Sequence, residues 1–222
     1  MHGKIIIIEG LDGCGKTTQV DLLKNTFTDC RFLTFPNYES FAGEIIQEYL
    51  DGKISEPDTG KSAYSASSFY AIDRYISYRK DWRVDYEQGK NIISARYTTS
   101  NAIYQMTKLS RDEWENYCHW LYDYEYQKLG IPAPDEVIFL DVPVEVSQKL
   151  LSERYQGDEQ KKDIHEADPA YLQHCHDAAL YAGSIGKPWQ FIQCCENQKL
   201  RPVGEIQKDL IQIIRKIIES NP

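Results

Sequence analysis

Eight residues near the start of the chain, Gly10-Leu11-Asp12-Gly13-Cys14-Gly15-Lys16-Thr17, leave few folds open. They fit the pattern G-x-x-x-x-G-K-[ST]. An apolar run at Ile5–Glu9 precedes them, and a helical pattern of Val20, Leu22, Leu23 and Phe27 follows. A strand that turns through glycines straight into a helix gathers backbone N–H groups and the positive end of the helix around one point. Such a point binds phosphate. Gly10, Gly13, Cys14, Gly15 and Thr18 would line the cradle, Lys16 can reach the β- and γ-phosphates, and the Thr17 hydroxyl can ligate Mg²⁺. Cys14 sits where a thiol can become reactive, although the position also works as a backbone amide alone.

Further along, short apolar runs at Arg31–Phe35, Asn91–Ser94, Glu136–Asp141 and Trp189–Cys194 have the character of buried strands, and helical patterns separate them. Ser110-Arg111-Asp112-Glu113 is a capping box, after which Trp114, Tyr117, Cys118, Leu121 and either Tyr124 or Glu125 recur at helical spacing. A last helix is expected from about Pro202, burying Ile206, Leu210, Ile213, Ile214 and Ile217. Strands alternating with helices imply right-handed crossovers and a mostly parallel sheet covered on both faces. The expected fold is therefore α/β, with five parallel strands in the middle of three layers. Ligands of such sheets bind beyond the carboxyl ends of the strands. With 222 residues and no repeat or low-complexity linker, residues 1–222 read as one domain. Residues 155–165 are polar, carry Gly157 and lack an apolar period, which reads as a loop between two helices.

Charge narrows the function. The formal net charge is −9, so a broad grip on a nucleic-acid backbone is not expected and a phosphate must be held by a few placed groups. Six cysteines, at 14, 30, 118, 175, 194 and 195, form no C-x-x-C pair and read as reduced thiols. No run reaches membrane-spanning length. A soluble, cytoplasmic protein is expected.

A switch GTPase needs a guanine-reading N-K-x-D, which is absent from the sequence. The remaining features resemble one family. They are Phe35-Pro36 after the second strand, Phe69-Tyr70-Ala71-Ile72-Asp73-Arg74-Tyr75, and Ala95-Arg96-Tyr97-Thr98-Thr99-Ser100-Asn101-Ala102-Ile103-Tyr104-Gln105 after the third. Pro134-Asp135 leading into Phe139-Leu140-Asp141, and Asp163-Ile164-His165-Glu166, complete the series. In this order they resemble the thymidylate kinases, P-loop kinases of nucleoside monophosphates, from residue 4 to about residue 181.

The residues have readings of their own. Tyr70 and Arg74 are four apart, so on a helix they share a face. They can stack a base and bond its edge, or be a packed tyrosine beside a solvated arginine. Arg96 at a strand end can clamp a phosphate with two parallel bonds, or serve a structural ion pair. The resemblance implies the specific roles. Tyr70 and Arg74 would take the thymine ring, Arg96 the acceptor phosphate, and Asp12 the 3′-hydroxyl. Phe35, Ser100, Asn101 and Tyr104 would continue the pocket. A lid at about 155–166 would bring a cation, Arg154 at its base or Lys161 and Lys162, because Gly13 stands where some relatives carry a basic residue. Asp163 and Glu166 would fix the lid, the metal or acceptor waters.

The implied reaction is phosphoryl transfer from MgATP to dTMP, with a homodimer as the implied assembly. The alternatives are another pyrimidine monophosphate as acceptor, or a catalytically weakened nucleotide binder. Ala95 keeps the latter open, since the family places an aspartate before the arginine at 96. Glu9 and Asp141, also near strand ends, could serve in its place. Asn37-Tyr38 likewise stands where an arginine often contacts the acceptor phosphate. His174 and His176 flank Cys175, but residues two apart on a helix do not share a face, which argues against a shared metal.

Overall fold

Ile5–Glu9 form β1, and every one of the five residues is buried. A strand without a polar face has to lie inside a sheet covered on both sides. The computed structural model, which describes residues 2–54, 61–154, 168–187 and 189–220, places it there. The strands β2 (Arg31–Thr34), β3 (Ile92–Ala95), β4 (Glu136–Asp141) and β5 (Gln190–Gln193) join it in the order β2-β3-β1-β4-β5. All four pairings are parallel. The chain moves from β1 to one side for β2 and β3, then to the other for β4 and β5. The crevice at the carboxyl end of β1 is thus the switch point where such sheets bind ligands.

Alternation along β1 builds two cores. Ile6 and Ile8 pack with Val20, Leu23, Ile206, Leu210 and Ile214, beneath helices α1 (Lys16–Lys24) and α9 (Val203–Glu219). Ile5 and Ile7 pack with Ala102, Tyr117, Leu121 and Ala178 on the opposite face. Between β2 and β3 run α2 (Phe41–Leu50), α3 (Lys61–Ser77), a π-helical turn (Tyr78–Trp82) and α4 (Arg83–Glu87). After β3 come α5 (Thr98–Tyr104) and α6 (Trp114–Tyr122), and β4 is followed by α7 (Val144–Arg154) and α8 (Pro169–Ala182). A two-stranded hairpin, β6 (Cys195–Glu196) and β7 (Lys199–Leu200), leads into α9.

The structure refines several sequence expectations. Leu22 is exposed over about 38% of its surface, and Phe27 lies past the end of α1 against the second core. Ile213 and Ile217 flank the buried stripe of α9. The capping box at Ser110 is present, but its first turn, Arg111–Glu113, is a 3₁₀ turn. The stripe of α6 continues into a second π-helical turn, Asp123–Lys128, where it is Glu125, not Tyr124, that is buried. All six cysteines are free thiols, and among the described residues no helix is long and apolar enough to cross a membrane. The lid expected at 155–166, with Lys161, Lys162, Asp163 and Glu166, lies outside the described residues.

Candidate active site

The loop after β1 is shaped by glycines at two positions. Gly15, at φ +86°, caps α1 in the left-handed region, and a Cβ there would meet nothing within 4 Å. That open side is what a phosphate needs. No side chain caps α1 and no acid stands in its first turn, so its leading N–H groups stay available to an anion. Gly13, at φ +80°, is the opposite case: a Cβ would lie 2.6 Å from the Ser147 carbonyl oxygen and 2.7 Å from Leu151 Cγ, both on α7. A basic side chain at this position has no room. The helix that excludes it, α7, ends at Arg154, whose side chain lies outside the described residues. Lys16 folds back over the loop, its ammonium donating to the carbonyls of Gly10 at 2.6 Å and Leu11 at 2.8 Å. Thr17 and Thr18 are exposed at the start of α1, and Cys14 is buried.

Beside the loop lies a pocket that gathers eight of the expected residues: Asp12, Phe35, Tyr70, Arg74, Arg96, Ser100, Asn101 and Tyr104. Pro36, Tyr38, Leu50, Tyr97 and Gln105 complete its wall. Tyr70 comes from α3 with Tyr49 edge-on behind it. Its hydroxyl is pushed well above the usual tyrosine range, first by burial, so it stays neutral. The loop after β2 is tied down by Asp73, which accepts from the Asn37 backbone N–H at 2.9 Å and the Ser40 hydroxyl at 3.0 Å. Asn37 therefore serves through its backbone and offers no cation to the pocket.

Arg96 links the two regions. It stands between β3 and α5 at φ +67°, a conformation that costs a non-glycine residue about 1–3 kcal/mol. Its N–H donates to the Ile8 carbonyl at 3.1 Å, and the Ser94 hydroxyl donates to its carbonyl at 2.8 Å. The guanidinium pairs with Asp12 of the loop and lies 5.0 Å from the Tyr104 ring centre. Burial alone would raise the Asp12 carboxyl, but Arg96 and Lys16 outweigh it and hold the group below its ordinary value.

The two carboxylates that could substitute at the Ala95 position are each hydrogen-bonded within the chain. Glu9 is fully buried and accepts from Thr99 Oγ1 at 2.7 Å, Ser100 Oγ at 2.8 Å and the Tyr97 N–H at 3.3 Å, anchoring the start of α5. Asp141 is engaged by His176 Nε2 at 2.8 Å and Gln193 Nε2 at 2.7 Å. The bond to Asp141 raises the imidazole pKa of His176. His174 packs tilted against the Trp114 ring instead. Ala95 itself packs into the apolar cluster that contains Cys14 and Val20.

Two residues of the site escaped sequence reasoning. Glu125 holds Arg74 in a buried ion pair, with Nη2 to Oε1 at 2.5 Å and Nε to Oε2 at 2.7 Å. Gln105, named only as part of its segment, lines the pocket with a buried Oε1 that has no partner among the described residues. Its place one residue after Tyr104 was the available signal.

A phosphate loop whose own aspartate closes an aromatic-lined pocket defines a P-loop nucleoside monophosphate kinase, a phosphotransferase. A family model described as thymidylate kinase matches residues 8–198. The chain is 31% identical over 196 residues to the thymidylate kinase of Mycobacterium tuberculosis, covering 83% of this chain and 87% of that one. It is 30% identical over 172 residues to the thymidylate kinase of Plasmodium falciparum, covering 74% and 75%. A solved structure of thymidylate kinase from Candida albicans superposes with a TM-score of 0.72 over 100% of this chain and 96% of that one, a likeness of fold at 21% identity. The chain belongs to the thymidylate kinase family.

Proposed function

We propose that the chain transfers the γ-phosphoryl group of MgATP to the phosphate of dTMP, giving ADP and dTDP. The observation that carries this reading is the double membership of Asp12, which belongs to the phosphate loop and also walls the adjoining pocket. Donor and acceptor phosphates would meet there. A bond forms between an acceptor phosphate oxygen and the γ-phosphorus, and the bond from that phosphorus to the β,γ-bridging oxygen breaks. No covalent enzyme intermediate is required, so positioning and charge stabilisation supply the catalysis.

The loop amides and Lys16 hold the donor phosphates. Arg96 exchanges part of its pairing with Asp12 for the acceptor phosphate, which frees the carboxylate to accept from the sugar 3′-hydroxyl. Tyr70 and Phe35 enclose the base, Arg74 and Asn101 meet its edge, and Ser100 and Tyr104 close the pocket. Among the described residues no three His, Cys, Asp or Glu side chains cluster around a possible ion site. The exposed Thr17 hydroxyl would hold a Mg²⁺ brought by the nucleotide. Such an ion would supply neutralisation of the phosphate charge. Arg154, with Asp163 and Glu166 beyond it, would complete a lid that excludes water.

A coupled ADP-release assay with MgATP and dTMP, dUMP, dCMP, dGMP and UMP in turn tests the reading. Fast turnover selective for dTMP is expected. ATP binding with no acceptor-dependent turnover would contradict it and make the chain a nucleotide binder. We also infer a homodimer through helical faces, supported by exposed Phe41 on α2 and Ile72 on α3, and a reducing, cytoplasmic setting, supported by six free thiols. Light scattering at two protein concentrations checks the former.

A further inference from the structure

The two residues that meet the base edge share one support. Arg74 lies on α3, Asn101 on α5, and both reach Glu125 in the π-helical turn Asp123–Lys128. Glu125 is fully buried, at a position where the helix stripe would otherwise place an apolar side chain. Its Oε2 accepts from Arg74 Nε at 2.7 Å and Thr98 Oγ1 at 2.8 Å. Its Oε1 accepts from Arg74 Nη2 at 2.5 Å and, as the longest bond of the set, from Asn101 Nδ2 at 3.5 Å. A buried ion pair of this kind is seldom the most stable solution for a core, so a carboxylate here invites a functional reason.

These bonds orient their partners. A guanidinium carries five N–H groups in a rigid fork. Two go to Glu125, and Nη1 directs one to the Tyr97 carbonyl at 3.4 Å. One N–H on each terminal nitrogen is left for the pocket that Arg74 lines. Asn101 uses Nδ2 on Glu125 and on the Ser67 carbonyl at 3.2 Å. Both are acceptors, so a flipped amide would set oxygen against oxygen. Asn101 must therefore present Oδ1 to the pocket. The result is a fixed order, donor from residue 74 and acceptor from residue 101.

We propose that Glu125 is a positioning residue that aims the Arg74 donors and, together with the Ser67 carbonyl, holds the Asn101 amide in this order, and so favours pyrimidines with a 4-oxo group and an N3–H over those with a 4-amino group and a bare N3. Thymine and uracil offer an acceptor and a donor in the matching order. Cytosine offers the reverse, which would oppose donor to donor and acceptor to acceptor. Sites that bond a polar edge reject the mismatched analogue strongly, because their own buried groups are left without partners. The inference rests on the reading of this pocket as the base site.

The test compares kcat/KM for dTMP, dUMP and dCMP in the full chain, wild type and Glu125→Gln. Ratios within one preparation cancel any difference in active fraction. Wild type that fails to use dTMP would sink the proposed function itself. With wild type active, Glu125→Gln is expected to lower the dTMP:dCMP ratio by at least about tenfold, mainly through the acceptor KM. The dTMP:dUMP ratio, which reports only the 5-methyl group, should stay within about twofold. An unchanged dTMP:dCMP ratio, or an equal fall in both ratios, overturns the proposal. If Glu125→Gln does not fold, Thr98→Val removes one bond to the carboxylate and keeps the ion pair. It should lower the dTMP:dCMP ratio by about threefold with dTMP:dUMP constant, and identical ratios would overturn the proposal equally.

Discussion

The phosphate loop and the acceptor pocket touch at Asp12, yet they are built from different chemistry. The loop is eight consecutive residues whose backbone does the binding, with Gly15 open to solvent and Gly13 pressed against α7. The pocket is side chains from the exit of β2, from α3 and from α5, aimed by a carboxylate 51 residues from the arginine it holds. A backbone site tolerates changes of side chain but not of volume or φ. A convergent side-chain site tolerates backbone adjustment but not the loss of a partner.

The largest expected effect breaks the first half of that comparison at its one indispensable side chain. Lys16→Ala should lower turnover at least about a thousandfold, since it removes a cation from developing phosphoryl charge. Near-normal turnover in a steady-state assay would rule out the loop as the donor site. Tyr70→Ala should raise the acceptor KM by about tenfold or more, as expected for losing one stacked ring, with the ATP KM nearly unchanged. Equal effects on both would mean the base pocket is misplaced. Gly13→Ala adds a single methyl, but at positive φ and against the Ser147 carbonyl, and should destabilise the fold by about 2–3 kcal/mol in urea unfolding. A neutral result would show that α7 can withdraw from the loop. The smallest effect is expected from Ala95→Asp, which restores the carboxylate usual in the family. Turnover should stay within about threefold or rise, and a loss beyond about tenfold would show a loop rebuilt around the alanine.

The same contrast explains what could be read from the sequence. The strand, the loop and α1 were legible because their contacts are local, as Lys16 bonding to Gly10 and Leu11 illustrates. Tyr70 with Arg74, and Arg96 with Asn101 and Tyr104, were legible as segments that resemble a family. Glu125 was not, because Tyr124 and Glu125 fit the helical spacing equally well and a π-helical turn leaves no mark in that period. The roles of Glu9 and Asp141 were likewise hidden. Each stands at a strand end, and only the fold shows that α5 claims one and His176 the other. The reason Gly13 carries no side chain became visible only when α7, more than a hundred residues later in the chain, was seen to pack on it.

The central claim, that the loop and the pocket serve one transfer, is tested most directly by separating the nucleotide products of wild-type protein incubated with MgATP and dTMP. The account predicts dTDP appearing one for one with ADP, and negligible ADP when dTMP is omitted. ADP released without matching dTDP would contradict it, because the two sites would then not be joined in a single reaction.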